Sequence, residues 1–203
     1  NGEITTKKDI HVDIESDIIA VDGQIVNTKQ HYYVKFHKPK GYVTAVEDAS
    51  HPVVMDLLPP EYIKMGVVPV GRLDKDTEGL LLLTNDGVWG HSIINGNKHV
   101  EKVYYVEFEG ELTEDGIQRI KEGIVLGDGT HCQPALIDVL SPKSVHITIE
   151  EGKYHQVKRM IGAAGGTVTY LKRLTIGHID LTGIEEIGSV QDLSSDDIEA
   201  FKK

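Results

Sequence analysis

Short strand-like runs alternating with two well-delimited helix patterns predict an α+β protein. Runs rich in Val, Ile, Leu and Tyr at residues 32–36, 66–70, 80–83, 102–108, 135–140 and 144–149 have strand length. Residues 113–123 and 157–164 carry helix signals instead. With 203 residues, 39% of them hydrophobic, the chain can bury one good core and a small appendage.

Residues 1–27 read as short strands joined by turns. Gly2, Glu3 and Ile4 open the segment, alternation runs through Val12 and Ile14, and an Ile/Val stretch at 18–21 closes on Asp22-Gly23. Asp-Gly between such runs is a hairpin signal, because the tight turn needs positive φ at both central positions. So short a segment cannot bury a core alone and needs a partner. A linker around 27–31 leads into the alternating strand 32–36. His37, Lys38, Pro39, Lys40 and Gly41 then form a turn, either a basic surface turn or a phosphate contact. Residues 47–60 are irregular, with a short apolar piece at 53–58. Residues 88–94 are expected to be helical, with Trp89 in the core rather than serving as a stacking platform.

In strand 101–108, period two puts Lys102, Tyr104, Val106 and Phe108 on one face and Val103 with Tyr105 on the other. Taken alone, a strand tyrosine is a core residue. The helix at 113–123 starts on Thr113 as N-cap, with Glu114 and Asp115 in its first turn and basic residues later. In the second helix Val157, Met160, Ile161 and Ala164 have the i, i+3, i+4, i+7 spacing of a buried stripe, which Gly165-Gly166 stops. Lys158 borders the stripe, where a basic residue ordinarily lays its stem along apolar surface. Lys153 precedes the helix and Arg159 diverges from it. Residues 170–181 predict two apolar strands around Gly177, and Ser194-Ser195-Asp196-Asp197 starts a short C-terminal helix.

The longest apolar run is far below the ~20 residues that span a bilayer, and no charged-apolar-small leader is seen, so a soluble, cytoplasmic protein is expected. A single cysteine, Cys132, excludes a disulfide scaffold and a cysteine zinc cluster and reads as a small buried side chain. His91 and His99 lack a third ligand at useful spacing, so no metal is expected there. A net charge of -11 argues against nucleic-acid binding by uniform positive charge. Its distribution is uneven: residues 152–179 hold Lys153, Lys158, Arg159, Lys172 and Arg173 with no acid, and one basic face suffices for phosphate contacts.

The segment from Val68 to Gly87 concentrates the chemistry. Apolar runs at 66–70 and 80–83 bracket a connector carrying Arg72, Asp74, Asp76 and Glu78. Three readings compete. It can be a solvated turn, with Gly71 and Gly79 supplying backbone freedom. It can be a calcium loop, which fails because 80–83 is apolar and the position for a bidentate Glu is Asn85. It can also hold an activated carboxylate beside Arg72.

Gly-Arg-Leu-Asp at 71–74, then Thr77, Gly79 and a Leu-rich strand ending Thr-Asn-Asp-Gly, strongly resembles the active-site segment of pseudouridine synthases. The branch it is similar to modifies ribosomal RNA and carries an N-terminal S4 domain. Three further stretches match: Lys-Pro-x-Gly at 38–41, Lys-x-Tyr at 102–104, and Glu-Gly-Lys-Tyr-His-Gln-Val-Lys-Arg-Met at 151–160. The resemblance implies a catalytic domain at 30–203 on a mixed, mainly antiparallel sheet flanked by helices, and at 1–29 the C-terminal part of an S4-like domain. It implies Asp74 as the essential carboxylate, Tyr104 as the ring that packs on the target uracil, and Lys158 as the basic partner of Asp74. Arg72, Lys102, Ile176, Lys38, His155, Gln156 and Arg159 are the implied substrate-binding residues, with Arg72 suited to fill the gap left by a flipped base. No metal and no cofactor are implied. The implied partner is ribosomal RNA or a ribosomal-subunit assembly intermediate, met by a monomer without a membrane. Residues 154–158 and 48–52 favour a small-subunit substrate, with large-subunit RNA as the alternative. A non-catalytic RNA-binding assembly module is the third reading, disfavoured because binding a polyanion requires no carboxylate.

Overall fold

The computed structural model describes residues 2–7, 9–13, 17–26, 29–95 and 98–202. Its first pairing is the expected hairpin: β1 (Ala20–Val21) and β2 (Gln24–Ile25) are antiparallel, with Asp22 and Gly23 both at positive φ in the turn. The strands expected near Ile4 and Val12 do not form. Ile14 and the start of the expected linker, Asn27 and Thr28, lie outside the described residues. Ile4, Ile10, Ile18, Val21 and Ile25 are exposed.

The body is an eight-stranded sheet. Its strands are β3 (Tyr33–Lys38), β4 (Val68–Val70), β5 (Glu78–Thr84), β6 (Lys102–Gly110), β7 (Leu136–Ser141), β8 (Ser144–Ile149), β9 (Gly166–Ile176) and β10 (Val190–Asp192). They lie in the order β10-β3-β5-β9-β6-β8-β7, with β4 pairing β5 from outside that path. Only β5 and β9 run parallel, so the sheet is mixed and mainly antiparallel, as expected. The helices are α1 (Pro60–Lys64), α2 (Gly87–Ile94), α3 (Glu114–Glu122), α4 (Gln156–Ala163) and α5 (Ser195–Glu199), and residues Val54–Leu57 form a 3-10 turn. The sequence signals missed α1, the 3-10 turn and β10, which are short and carry no full period of apolar residues.

The Leu-rich run at 80–83 is continuous because both faces of β5 are covered. Leu81 and Leu83 join Val34, Phe36, Val106 and Met160 in the larger core, whereas Leu80 and Leu82 join Trp89, Ile93, Ile176 and Leu193 in a smaller one. All four leucines are fully buried, each contributing roughly 1.5–3 kcal/mol relative to exposure. Trp89 is a core residue, donating its indole N–H to Ile198 O at 3.0 Å. The predicted caps form: Thr113 Oγ1 accepts from Gly116 N, and Ser194 and Asp197 build a capping box.

One expected pair of strands is a single long one. Residues 166–176 form β9 alone, and after Gly177 only an isolated bridge, Ile176 to Ile179, remains. Gly177 N still donates to Glu101 O, the next position along β6, but Gly177 has a positive φ and turns the chain back so that Ile179 meets Ile176. At the other end β9 starts at Gly166, before Tyr170 and just past the end of α4 at Ala163.

Two strands divide one edge of β5. β9 pairs it at Glu78 and Gly79, and β4 pairs it at Leu82 to Thr84. The connector 71–77 leaves β4 and re-enters β5 beside β9, so the fold splits there. The opening becomes a cleft.

Candidate active site

The cleft has a volume of about 690 Å³, a size that holds a nucleotide. Its walls come from the connector, β6, β9 and the start of α4. The connector is rigid because its backbone is tied down from behind. Leu73 is buried, and Thr44 Oγ1 both donates to Leu73 O at 2.7 Å and accepts from Leu73 N at 3.2 Å. Gly41 N donates to Lys75 O at 2.7 Å.

Lys38 completes this clamp. It is fully buried, and its Nζ donates to Pro39 O at 3.0 Å, Asp74 O at 3.1 Å and Thr77 O at 2.8 Å. The buried ammonium satisfies carbonyls that the tight connector cannot pair with its own amides. Lys38, expected among the substrate-binding residues, thus lies beneath the carboxylate and fastens the connector. Burial pushes its pKa down to about 8, against the opposing charges of Asp76 and Asp74.

The Asp74 side chain is partly exposed in the cleft. Lys158 Nζ lies 3.0 Å from its Oδ2, and His155 Nε2 lies 3.4 Å from its Oδ1. The structure thus brings Lys158, one turn into α4, to the carboxylate as expected. Lys153 is instead paired with Glu151. Lys158 is shared: its Nζ is 2.5 Å from Asp76 Oδ1, closer than to Asp74. Partial burial alone would raise the Asp76 pKa and lower that of Lys158. Their mutual bond, with Asp74 added on the Lys158 side, outweighs this, so the Asp76 carboxyl is held below its ordinary value and the Lys158 ammonium above its own.

His155 reaches Asp74 through an unusual backbone, φ 47 and ψ 35, in the left-handed region just before α4. Its ring stacks on exposed Tyr154 at 3.9 Å. Gln156 lines the cleft but is buried, its amide spent on Glu151 Oε1 and its Oε1 on Lys153 N. It shapes the N-terminus of α4 and has little left to offer a ligand. Arg159 is not among the residues that line the cleft and pairs with Asp128 at 2.5 Å, because the residue after Lys158 lies ~100° around the helix.

The remaining expected residues line the cleft: Arg72, exposed at its rim, and Lys102, Tyr104 and Ile176 deeper in. Lys102 Nζ donates to Val100 O at 2.7 Å and Glu150 O at 3.3 Å. Tyr104 is mostly buried, on the inward face that period two assigned to it. Arg173 was not singled out by sequence reasoning, yet it lies on the cleft wall opposite Tyr104 in the β6–β9 ladder. An Arg two residues after buried Leu171, hence on an inward position, was the available signal.

This layout places a carboxylate between two basic side chains, beside a tyrosine ring, in a nucleotide-sized cleft. A family model for RNA pseudouridylate synthase matches residues 32–163, which contain every one of these groups except Arg173 and Ile176. The chain belongs to the RNA pseudouridylate synthase family. This synthase is 38% identical over 192 residues to the uncharacterized RNA pseudouridine synthase YtzG of Bacillus subtilis (strain 168), covering 93% of this chain and 80% of that one. It is 37% identical over 201 residues to ribosomal small subunit pseudouridine synthase A of Escherichia coli (strain K12), covering 98% and 86%. A solved pseudouridylate synthase structure superposes on the synthase with a TM-score of 0.77 at 34% identity, over 99% of this chain and 86% of that one.

Proposed function

We propose that this isomerase converts a specific uridine of small-subunit ribosomal RNA to pseudouridine, with Asp74 as the reacting carboxylate. The identity to small-subunit synthase A over nearly the whole chain supports the substrate. The observation that carries the chemistry is Asp74 held between Lys158 and His155 at the cleft formed by the split edge of β5. The reaction breaks the N1–C1′ bond, turns the base and rejoins it through C5. A carboxylate serves it either by attacking C1′ or by removing the C2′ proton, and in both routes the base departs with the N1–C1′ bonding pair.

Lys158 holds Asp74 aimed into the cleft, while Tyr104 and Ile176 bound the space in which the loose base lies. A ring face against a base is worth ~1–3 kcal/mol in other nucleic-acid proteins. Arg72 at the rim fills the stack that the flipped nucleotide leaves. His155 and Lys102 border the bound nucleotide. Residues 1–29 act as part of an S4-like RNA-binding region, and the synthase works in the cytoplasm as a monomer without a cofactor. No helix among the described residues is long and apolar enough to cross a membrane.

Tritium release from small-subunit rRNA labelled at uridine C5 tests the assignment. Asp74→Asn is nearly isosteric and is expected to abolish release while leaving the melting temperature close to that of the parent. Release at the parent rate would remove Asp74 from the chemistry.

A further inference from the structure

The cleft floor holds a charge that the assignment above leaves unused. Arg173 is 4% exposed. Its Nε donates to Leu80 O at 2.8 Å and its Nη1 to Tyr104 Oη at 3.4 Å, while Nη2 is buried with no hydrogen-bond partner. Among the described residues no carboxylate pairs with it. A guanidinium stays protonated at any pH the fold survives, so this is a permanent positive charge in a dry place. Left without a counter-ion, such a charge weakens the fold. The neighbouring Lys102 registers it: burial first, and then the Arg173 charge, push that ammonium down to about 8.

The backbone is shaped to bring Arg173 here. A register shift between Val103 and Tyr104 leaves Leu174 unpaired in β9, so Arg173 faces Tyr104 while Ile176 still meets Lys102. Such bulges re-aim side chains beside active sites. On the other edge Gly79 lets β5 approach the Arg173 backbone more closely than any side chain would permit.

We propose that Arg173 is a positioning residue for the isomerisation, acting through Tyr104, and that its unpaired charge stabilises the uracil anion formed between cleavage and reattachment. This rests on Asp74 as the reacting carboxylate. Once N1–C1′ is broken, the bonding pair resides on the base, which is then an anion lying against the Tyr104 ring. Arg173 gives up no proton. Formation of C5–C1′ returns the negative charge to Asp74, and the base exchanges its C5 proton for one at N1. The charge is therefore needed only in the interval when the base is detached, and its absence should slow the reaction without loosening RNA binding.

The test is single-turnover tritium release from a small-subunit rRNA transcript, with transcript affinity and melting temperature measured on the same proteins. Arg173→Gln is expected to slow the saturating rate about 100-fold or more, the loss typical of a missing charge-stabilising donor. Arg173→Lys, which keeps the charge but not the fork, is expected to recover to within about tenfold of the parent. Affinity and its salt dependence should stay unchanged in both. A parent-like rate in Arg173→Gln, or equal slowing of both variants, overturns the proposal. Weakened affinity with a shallower salt slope at an unchanged saturating rate makes Arg173 a phosphate contact and overturns it too. Should Arg173→Gln not fold, Arg173→Met, which removes the charge and fills the site with apolar volume, takes its place with the same outcomes. Turnover by Asp74→Asn in the same assay would mark failure of the underlying assignment instead.

Discussion

At the scale of single residues, the decisive feature is that one ammonium serves two carboxylates, Asp74 at 3.0 Å and Asp76 at 2.5 Å. Asp76 is the more exposed of the two, so solvent screens its share and its removal should leave Lys158 wholly to Asp74. Asp76→Asn is expected to retain most tritium release, whereas Lys158→Met should lose far more than Lys153→Met. The pH dependence has a fixed sign. The Asp76 carboxyl is held below 3.8, so its contribution to stability is present above that value and fades as pH falls through the folded one. The Lys158 ammonium is held above 10.5, so its contribution is present below that value and fades as pH rises through the folded one. Urea unfolding should thus give stability differences, parent against Asp76→Asn and parent against Lys158→Met, that are flat between about pH 5 and 9 and shrink only outside those limits. Lys38 predicts a different outcome. Lys38→Met strips a donor from the Asp74 and Thr77 carbonyls, costing about 1–3 kcal/mol, and should depress kcat through the loosened connector while KM changes little.

At the scale of elements, the parallel contact of β5 with β9 holds the two halves of the sheet together and sets the cleft floor. A Cβ on Gly79 would sit 2.2 Å from Arg173 O, and the residue is at φ +115. Neither backbone can yield without breaking the ladder. Gly79→Ala is therefore expected to destabilise by about 3 kcal/mol or more, seen as a large fall in melting temperature together with lost activity. Thr113→Ala removes only the α3 cap bond to Gly116 N and should cost about 1 kcal/mol, with tritium release unchanged because α3 lies away from the cleft. The contrast separates elements that build the site from elements that only support the core.

At the scale of the whole molecule, the catalytic sheet begins at β3, and the segment before it carries exposed apolar side chains and its own hairpin. Residues 1–29 hold Lys7, Lys8 and Lys29 against six acids, so this segment adds no net positive charge for phosphates. Deleting it should raise KM for rRNA while leaving kcat within about threefold, the pattern of contacts made equally in ground and transition states. The slope of log affinity against log salt should change by less than about one unit, since few phosphate contacts are lost. A fall in kcat would mean that the segment takes part in the chemistry.

What the residues determined on their own is whatever depends on neighbours along the chain. The Asp22-Gly23 hairpin, the Thr113 cap, the buried stripe of α4 and the alternation that faces Tyr104 inward all follow from local geometry. The charged connector around Asp74 was marked by its own residues, whereas its Lys158 partner was implied only by the family resemblance of residues 151–160. Tertiary structure decided what depends on register and burial across distant strands. Lys38 reads as a surface lysine until the connector folds over it, Arg159 and Lys158 differ only by the turn of a helix, and Arg173 becomes a cleft residue only because β9 bulges opposite Tyr104. The physical reason is that a charged side chain carries no periodic signal of its own. Its environment is set by which backbones pass beside it, and that is settled only when the sheet closes its order.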